Sequence, residues 1–383
     1  PRKTKRLRCC PVKINSLSFQ GYRNLKTGSF SPSGQVNVIY GSNAQGKTNL
    51  LEAIWIFTGG RSFRGAKDGE LTAFGENKAQ LSLHFFAQQR EQEAEIFLEN
   101  GKRKIFLNEI RLKSPSAMVG NFCSVIFSPS HLSLVKDGPG ERRKFLDAAI
   151  CQYKPSYAVA LGRFHRGILQ RNALLKEIYR RPYLEETLEV WDEKLSQLGS
   201  VIIEERLNYL SVLQPQAEYA YEGFSQGRER LRMEYQSACI HPGEKGISLE
   251  ELQTRLQAGY AGTRKEDLRA GFTSIGPHRD DLSFLLDEKS ARSYGSQGQQ
   301  RSVVLALKLS EAEALRQAVG ERPVVLLDDV MSELDTSRQD YILNHMESWQ
   351  VFVTCCDPVA ILRMTGGKAF EMADGILTEK NGD

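Results

Sequence analysis

The period of the apolar positions changes along the chain, and each change marks a different kind of element. Residues 12–19, Val-Lys-Ile-Asn-Ser-Leu-Ser-Phe, alternate loosely, as a strand with one bulge would. An apolar run at 36–40 ends in a glycine-rich loop and passes into Leu50, Leu51, Ala53 and Ile54, which predict a helix. Strand-like runs follow at 81–86, 93–98 and 103–107. The last two are joined through Glu99, Asn100, Gly101 and Lys102, where Asn-Gly is a strong hairpin signal. Residues 125–127 read as a further strand, ended by Ser128-Pro129.

The pattern then becomes helical. Over 141–180, Leu161, Phe164, Ile168, Leu175 and Ile178 recur at three/four spacing, and Arg171 fills the one slot that should be apolar. Arg181-Pro182 interrupts the pattern. The stripe resumes at Leu184, runs through Leu188, Trp191, Leu195, Leu198 and Ile202, fades near Tyr209 and stops at Pro215. Two helices of about 30–40 residues, rising ~1.5 Å per residue and joined by a short turn, predict an antiparallel arm about 45–60 Å long. A plain helical subdomain is the alternative. Residues 216–270 mix helical patches with Gly- and Pro-bearing loops and are assigned only to the same insertion. Strand character returns near 271–274 and at 282–286. Residues 323–327, Pro-Val-Val-Leu-Leu, are apolar throughout, as a buried parallel strand is. Helices are predicted over 302–319 and 337–347, and a strand over 351–354.

Composition narrows the picture only a little. A chain of 383 residues with 40% hydrophobic content can bury a large core in two or three domains, and a net charge of +4 barely favours a nucleic-acid partner. Arg2, Lys3, Lys5, Arg6 and Arg8 precede any apolar pattern. They read as an extension without structure of its own, with a phosphate-binding arm as the competing reading. No apolar run approaches the ~18–20 residues of a membrane span, and the start lacks the apolar core of a signal peptide. The seven cysteines include the pairs Cys9-Cys10 and Cys355-Cys356, none in a zinc or CxxC spacing. Free thiols in a reducing cytoplasm fit them best.

Chemistry enters at residues 41–49, where Gly41, Gly46, Lys47 and Thr48 satisfy G-x-x-x-x-G-K-[ST] between a strand and a helix. The amides of Gly41, Ser42, Asn43, Ala44, Gln45, Gly46, Lys47, Thr48 and Asn49 are expected to cradle phosphate at the positive end of that helix. Lys47 would reach the terminal phosphates of ATP, and Thr48 would place its hydroxyl on Mg2+. A glycine-rich turn with an incidental lysine is the bland reading. Arg64, in the flexible loop at 59–65, is a candidate for the phosphates, and a solvated arginine is the even alternative. The strand at 323–327 delivers Asp328 and Asp329. Asp328 is expected to hold the metal through its water shell and Asp329 to polarise the attacking water. Tyr294 to Arg301 form a polar turn before a helix, another anion-binding device presenting Ser296 and the Gly298 amide, with Gln299 among the expected nucleotide contacts. Arg142, Arg143 and Lys144 cluster at the base of the insertion, and Arg163, Arg166, Arg171, Arg180 and Arg181 stud its first helix. Spaced cations of this kind suffice for sequence-independent DNA contact, although solvated helix faces carry them too. Four segments result: a basic extension at 1–11, a head at 12–138 and 271–383, and the helical insertion at 139–270.

The whole combination resembles the SMC-like ABC-type ATPases of chromosome maintenance, and within them the RecF family. The similarity is carried by GSNAQGKTNLLEAI, SYGSQGQQR, VVLLDDVMSELD, IGPHRDDL and LVKDGPGERRKFLD, which span residues 12 to about 372. The resemblance implies an α/β ABC-type P-loop head with an inserted short antiparallel helical arm, called lobe II. It implies a weak, DNA-stimulated ATPase of the bacterial cytoplasm and nucleoid that binds duplex DNA and single-strand/duplex junctions. Such a protein acts at gaps and stalled forks with RecO and RecR to load RecA. It further implies an ATP-dependent homodimer in which Ser296 of one copy completes the site formed by Lys47 and Asp328 of the other. Gln297 stands where the general ABC signature has its first glycine, as in RecF proteins. Asp329 replaces the usual glutamate, so slow hydrolysis is expected. Thr354 or Cys355 stands where many ABC proteins place a histidine, and Ser130-His131 replaces an expected acidic pair. The alternative within the group is a static ATP-binding scaffold. A transporter subunit is disfavoured by the arginine-rich insertion. A small-molecule kinase would leave Tyr294 to Arg301 without a role.

Overall fold

The computed structural model describes residues 11–241, 243–244 and 246–380, so Cys9-Cys10 and all but the last residue of the basic extension lie outside the described residues. Two units divide the chain, one drawn from 1–131, 223–226 and 305–383, the other from 132–222 and 227–304. Residues 271–304, expected with the head, therefore cluster with the helical insertion.

The first unit contains two six-stranded sheets. One is antiparallel, in the order β2 (Gly28–Phe30), β1 (Lys13–Gln20), β4 (Lys78–Ala87), β5 (Arg90–Glu99), β6 (Lys102–Leu107), β7 (Ile110–Arg111). Burial alternates along β4 and β5, as expected for strands with one face covered. The irregularity read in the opening strand is present, a register shift between Ile14 and Ser16 against β4. The Asn100-Gly101 turn is also present, both residues at positive φ (51° and 71°), which is why Asn and Gly occupy it.

The second sheet runs β15 (Ile376–Lys380), β14 (Lys368–Ala373), β3 (Val36–Tyr40), β13 (Val351–Cys355), β12 (Val324–Asp328), β8 (Ser124–Phe127). Its strands are parallel except β15. Every residue of β8, β12 and β13 is buried, which explains the unbroken apolar runs. Helix α1 (Lys47–Trp55) shares one core with both sheets, where Leu50, Leu51 and Ile54 join Leu17, Leu81, Ile39 and Phe352. Register places Asp328 beside Thr354 and Cys355 beside Tyr40, so the carboxyl ends of β12, β13 and β3 finish side by side. Ligand sites of open parallel sheets form at such an edge. Helices α9 (Thr336–His345) and α10 (Val359–Thr365) also belong to this unit, as do residues 305–319 of a longer helix that starts in the other.

The second unit holds α2 (Ser133–Lys136), α3 (Pro139–Cys151), α4 (Pro155–Ile178), α6 (Leu249–Ala270), α7 (Ala291–Tyr294) and most of α5 (Leu188–Ser225). A three-stranded sheet joins them: β11 (Lys289–Ser290), β10 (Asp281–Leu286), β9 (Leu231–Gln236). Helix α8 (Gln297–Val319) begins here. Contacts between α4 and α5 run in opposite senses. Tyr157 meets Arg206, a Cβ at Gly199 would abut Phe164, one at Gly167 would abut Leu195, and Arg171 meets Asp192. The antiparallel pair is therefore real. It differs from the expected two long helices in three ways. The first breaks at Gln152–Lys154 into α3 and α4. The second runs past Pro215 to Ser225, and α6 with the sheet makes the pair a layered lobe. Pro215 is tolerated because Leu213, Ala217 and Ala220 are buried on either side of it. Gln214 also pins β9, donating to Leu231 O at 3.2 Å and accepting from Met233 N at 2.7 Å.

Arg171, the apparent error in the helical ladder, is wholly buried. Its Nε donates to Asp192 at 2.9 Å, and its Nη1 donates to Asp267 at 2.6 Å and to Thr273 Oγ1 at 2.9 Å. The position thus belongs to the inner face after all, and charge fills it.

His278 packs against Phe164 with ring centroids 5.8 Å apart, its Nε2 3.1 Å from the Thr273 carbonyl. Burial pushes its pKa down to about 4. A histidine depressed in the fold contributes stability above its unfolded pKa of about 6.5, and this is lost as pH falls through the window to 4. Asp280 works in the opposite sense, since burial raises it to about 6. The expected result is therefore differential. Relative to His278→Gln, the native chain should lose about 2 kcal/mol between pH 7.5 and pH 5, measured by urea denaturation at both pH values.

Candidate functional site

The loop between β3 and α1 is held in a shape that side chains could not adopt freely. Gly41 has φ 152°, and a Cβ there would lie 2.2 Å from the Met372 carbonyl oxygen. Gly46 has φ 116°, and its Cβ would lie 2.9 Å from Asn24 Oδ1. Both glycines are therefore required by close approach of neighbouring chain. Asn24 fixes the loop from one side, donating to the Ala44 carbonyl at 3.1 Å and accepting from Asn49 Nδ2 at 2.7 Å. From the other side Gly375 N donates to the Gln45 carbonyl at 3.1 Å and Asp374 N donates to Gln45 Oε1. Gly46 is the N-cap of α1 and supplies no side-chain cap, so the opening amides point at the place an anion would fill. Lys47 is buried, with Nζ 2.7 Å from the Gly41 carbonyl and 3.0 Å from that of Ser42. The ammonium lies across the loop.

At the neighbouring strand ends, Thr48 Oγ1 donates to Asp328 Oδ1 at 2.8 Å, and Thr354 Oγ1 donates to the same oxygen at 3.0 Å. Thr354 also accepts from Asp329 N at 2.9 Å, so one hydroxyl sets both acids. Burial raises the pKa of Asp328, and the hydroxyls of Thr48 and Thr354 oppose that. A cation at this point would relieve the cost of the buried charge. Hydroxyl plus one carboxylate, both hard oxygen donors, is the small protein share that Mg2+ takes when phosphates and water complete its shell. Among the described residues no group of three or more His, Cys, Asp or Glu could hold a metal alone. Asp329 sits in the left-handed region at φ 52°, and its carboxylate makes no hydrogen bond among the described residues.

Arg64 reaches the loop indirectly, donating to Asn49 Oδ1 at 2.8 Å, and its own amide donates to Ser62 Oγ at 3.1 Å. Ser62 in turn donates to Glu52, a fully buried carboxylate on α1 that also takes Arg23 through Nε at 2.9 Å and Nη2 at 3.1 Å. Asn24, Arg23 and Glu52 were not singled out from the sequence. The only available signal was a glutamate on the otherwise buried face of the helix after the loop. An open cavity of about 1070 Å³ lies against the outer side of the loop, lined in part by Arg23, Asn24, Lys26, Arg64 and Phe74 together with Ala44, Gln45 and Asn49 of the loop.

In the second unit, Ser296 and Gln299 form a reciprocal cap at the start of α8. Gln299 N donates to Ser296 Oγ at 3.2 Å, and Ser296 N donates to Gln299 Oε1 at 2.6 Å. Helix α8 therefore begins at Gln297, five residues earlier than expected, and takes in Gly298. The Gln299 side chain, expected on nucleotide, is committed within the chain.

The RecF/RecN/SMC N terminal domain model matches residues 13–378. A DNA replication and repair protein RecF from Ruminiclostridium cellulolyticum is 37% identical over 344 residues, covering 89% of this chain and 92% of that one. Its counterpart in Caldanaerobacter subterraneus is 38% identical, covering 95% and 99%. The chain belongs to the RecF family. A solved recombination mediator protein RecF with ATP, from the RecFOR pathway, superposes with a TM-score of 0.92 at 36% identity, covering 98% of this chain and all of that one. An Smc head domain from Pyrococcus furiosus, at 16% identity and a TM-score of 0.54, shares the fold alone. The ABC-type head of the RecF and SMC group, with its inserted helical arm, is thus the fold.

Two expectations about DNA contacts need correction. Arg142, expected on DNA, is buried and grips Asp281 through Nε at 2.6 Å and Nη2 at 2.9 Å. Its Nη1 donates to the Leu134 and Asp137 carbonyls at 3.1 and 2.8 Å. Arg171 is buried likewise. Arg143 is half-buried and donates to the Asp280 carbonyl at 2.6 Å, whereas Lys144 is exposed and bridges Glu141 at 2.6 Å. Arg163 and Arg166 lie exposed, one turn apart on α4. His131 accepts from Ser128 N at 3.0 Å, and burial holds its pKa well below the usual range, so the loop at Ser128 carries a neutral imidazole. Among the described residues no helix is long and apolar enough to cross a membrane.

Proposed function

We propose that this chain is an ATP-dependent DNA-binding protein of replication and recombinational repair. On this reading it acts at single-strand gaps and stalled forks, where with RecO and RecR it helps load RecA. The observation that carries the nucleotide half is the 2.8 Å bond from Thr48 to Asp328, formed beside a loop whose lysine already spans it. The family relationship to proteins of replication and repair, one of them solved with ATP, supports the rest.

In this mechanism the loop amides of 41–49 and Lys47 would hold the phosphates of ATP, and Thr48 and Asp328 would hold Mg2+, which when bound would supply neutralisation of phosphate charge. Asp329 orients and polarises a water, one methylene short of the glutamate common in ABC proteins, so hydrolysis is slow. Ser296 from a second copy, with the Gly298 amide, closes the site, which makes ATP the link between two molecules. Lys144, Arg163 and Arg166 offer sequence-independent contacts to the DNA backbone.

A titration with duplex, single-strand and gapped DNA, with and without ATP, tests the DNA half. Binding to duplex and gapped DNA should tighten with ATP, and strict single-strand preference indifferent to ATP contradicts it. For the ATP half, Asp329→Asn should keep nucleotide binding and lose at least tenfold in multiple-turnover phosphate release, the usual size of a general-base contribution being 10²–10⁴-fold. If the unaltered chain with DNA releases no phosphate, it is a static scaffold.

A further inference from the structure

The reciprocal cap at Ser296 is only one link of a longer chain. Gln299 Nε2 donates to a carboxylate oxygen of Glu229 at 2.5 Å, and Tyr221 Oη donates to the other carboxylate oxygen at 2.8 Å. Tyr221 is buried on α5, and Glu229 lies half-buried between α5 and β9. All four residues belong to the second unit.

The chemistry of these groups fixes a direction. A carboxylate only accepts hydrogen bonds, so Glu229 requires the nitrogen end of the Gln299 amide to face it. The oxygen end is then left for Ser296 N, the bond observed at 2.6 Å. Without that carboxylate the Nε2 end loses its anchor, and the Gln299 side chain is held to the turn by the Ser296 amide alone. The cap would then open more often, and Ser296 would spend less time in the backbone conformation that presents its hydroxyl and the Gly298 amide.

We infer that Glu229 is a positioning residue for the Ser296 turn, setting the geometry in which that turn meets a nucleotide phosphate held by a second copy. The inference rests on the composite site proposed above. It assigns Gln299 to orientation of the turn and Glu229, far from any motif, to its support.

The test uses the full chain with ATP and Mg2+, and light scattering over a concentration series. Glu229→Leu should raise the dimer dissociation constant at least tenfold while ATP affinity of the monomer stays within twofold. Glu229→Gln, which keeps an acceptor, should cost threefold or less, and it guards against a leucine variant that fails to fold. Independently of dimerisation, Glu229→Leu should speed hydrogen exchange at the Ser296 amide at least tenfold. Unchanged exchange, or an unchanged dimer where Ser296→Ala dissociates it, overturns the role of Glu229. A dimer indifferent to Ser296→Ala overturns the composite site itself, and the positioning role with it.

Discussion

Lys47→Ala should weaken ATP binding about 100-fold, measured by calorimetry with Mg2+ present. The ammonium sits 2.7 and 3.0 Å from the carbonyls of Gly41 and Ser42, within the loop whose amides open α1. Losing one charge-assisted contact to phosphate costs about 3 kcal/mol, which is two decades of affinity. The loop itself should survive, because Asn24 and Gly375 hold it without the lysine. Unfolding of the variant is therefore not expected, and its melting should match the native chain. Affinity within threefold of the native value would show that Lys47 is an incidental lysine of a turn.

The largest stability effect should come from Arg171→Met. The substitution keeps most of the volume but leaves Asp192 and Asp267 as buried carboxylates that have lost their arginine. Breaking a buried pair from one side costs about 3–5 kcal/mol, because an uncompensated charge stays behind. Arg264 donates to Asp192 at 3.0 Å and softens the loss there. Asp267, whose remaining side-chain partners are Ser274 N and Oγ, has no second arginine among the described residues. Replacing all three together, Arg171→Met with Asp192→Leu and Asp267→Leu, should recover most of the loss in urea denaturation, since neither buried carboxylate is then stranded and Arg264, which gives up Asp192, is partly exposed with Glu189 3.9 Å away. A single variant costing under 1 kcal/mol would mean that the network is solvated and the burial misread.

These two residues also mark the limits of the sequence as a guide. The phosphate loop was legible because its requirements are local: two glycines at fixed spacing, a lysine and a threonine opening a helix. The acid-tipped strand was legible because a parallel strand buried on both faces is apolar throughout. Arg171 was visible only as an exception, because Asp267 and Thr273, which explain it, lie 96 and 102 residues further on. Asn24 was hidden for the same reason, since its bonds to Ala44 and Asn49 cross from a different strand–turn. Arg142 shows the reverse error. Three cations in a row read as a surface patch, yet the first faces inward to Asp281, whose position no local pattern reveals. Pro215 was read as a stop on a sound local rule that packing on both sides of the residue overrides.

Residues 271–304 cluster with the insertion for a related reason. They carry strand and turn signals like those of the head, but β10 pairs with β9 through six register pairs from Asp281–Gln236 to Leu286–Leu231. Pairing partner, not strand character, decides which core a segment joins.

On the proposed reading the phosphate loop is half of a site, and Ser296 of a second molecule supplies the rest. Light scattering of the native chain and of Ser296→Ala, each with saturating ATP and Mg2+, tests it most directly. The native chain should shift from 43.1 kDa to about twice that mass, while Ser296→Ala binds ATP and stays at the monomer mass. A Ser296→Ala chain that dimerises on ATP as the native one does would contradict the account.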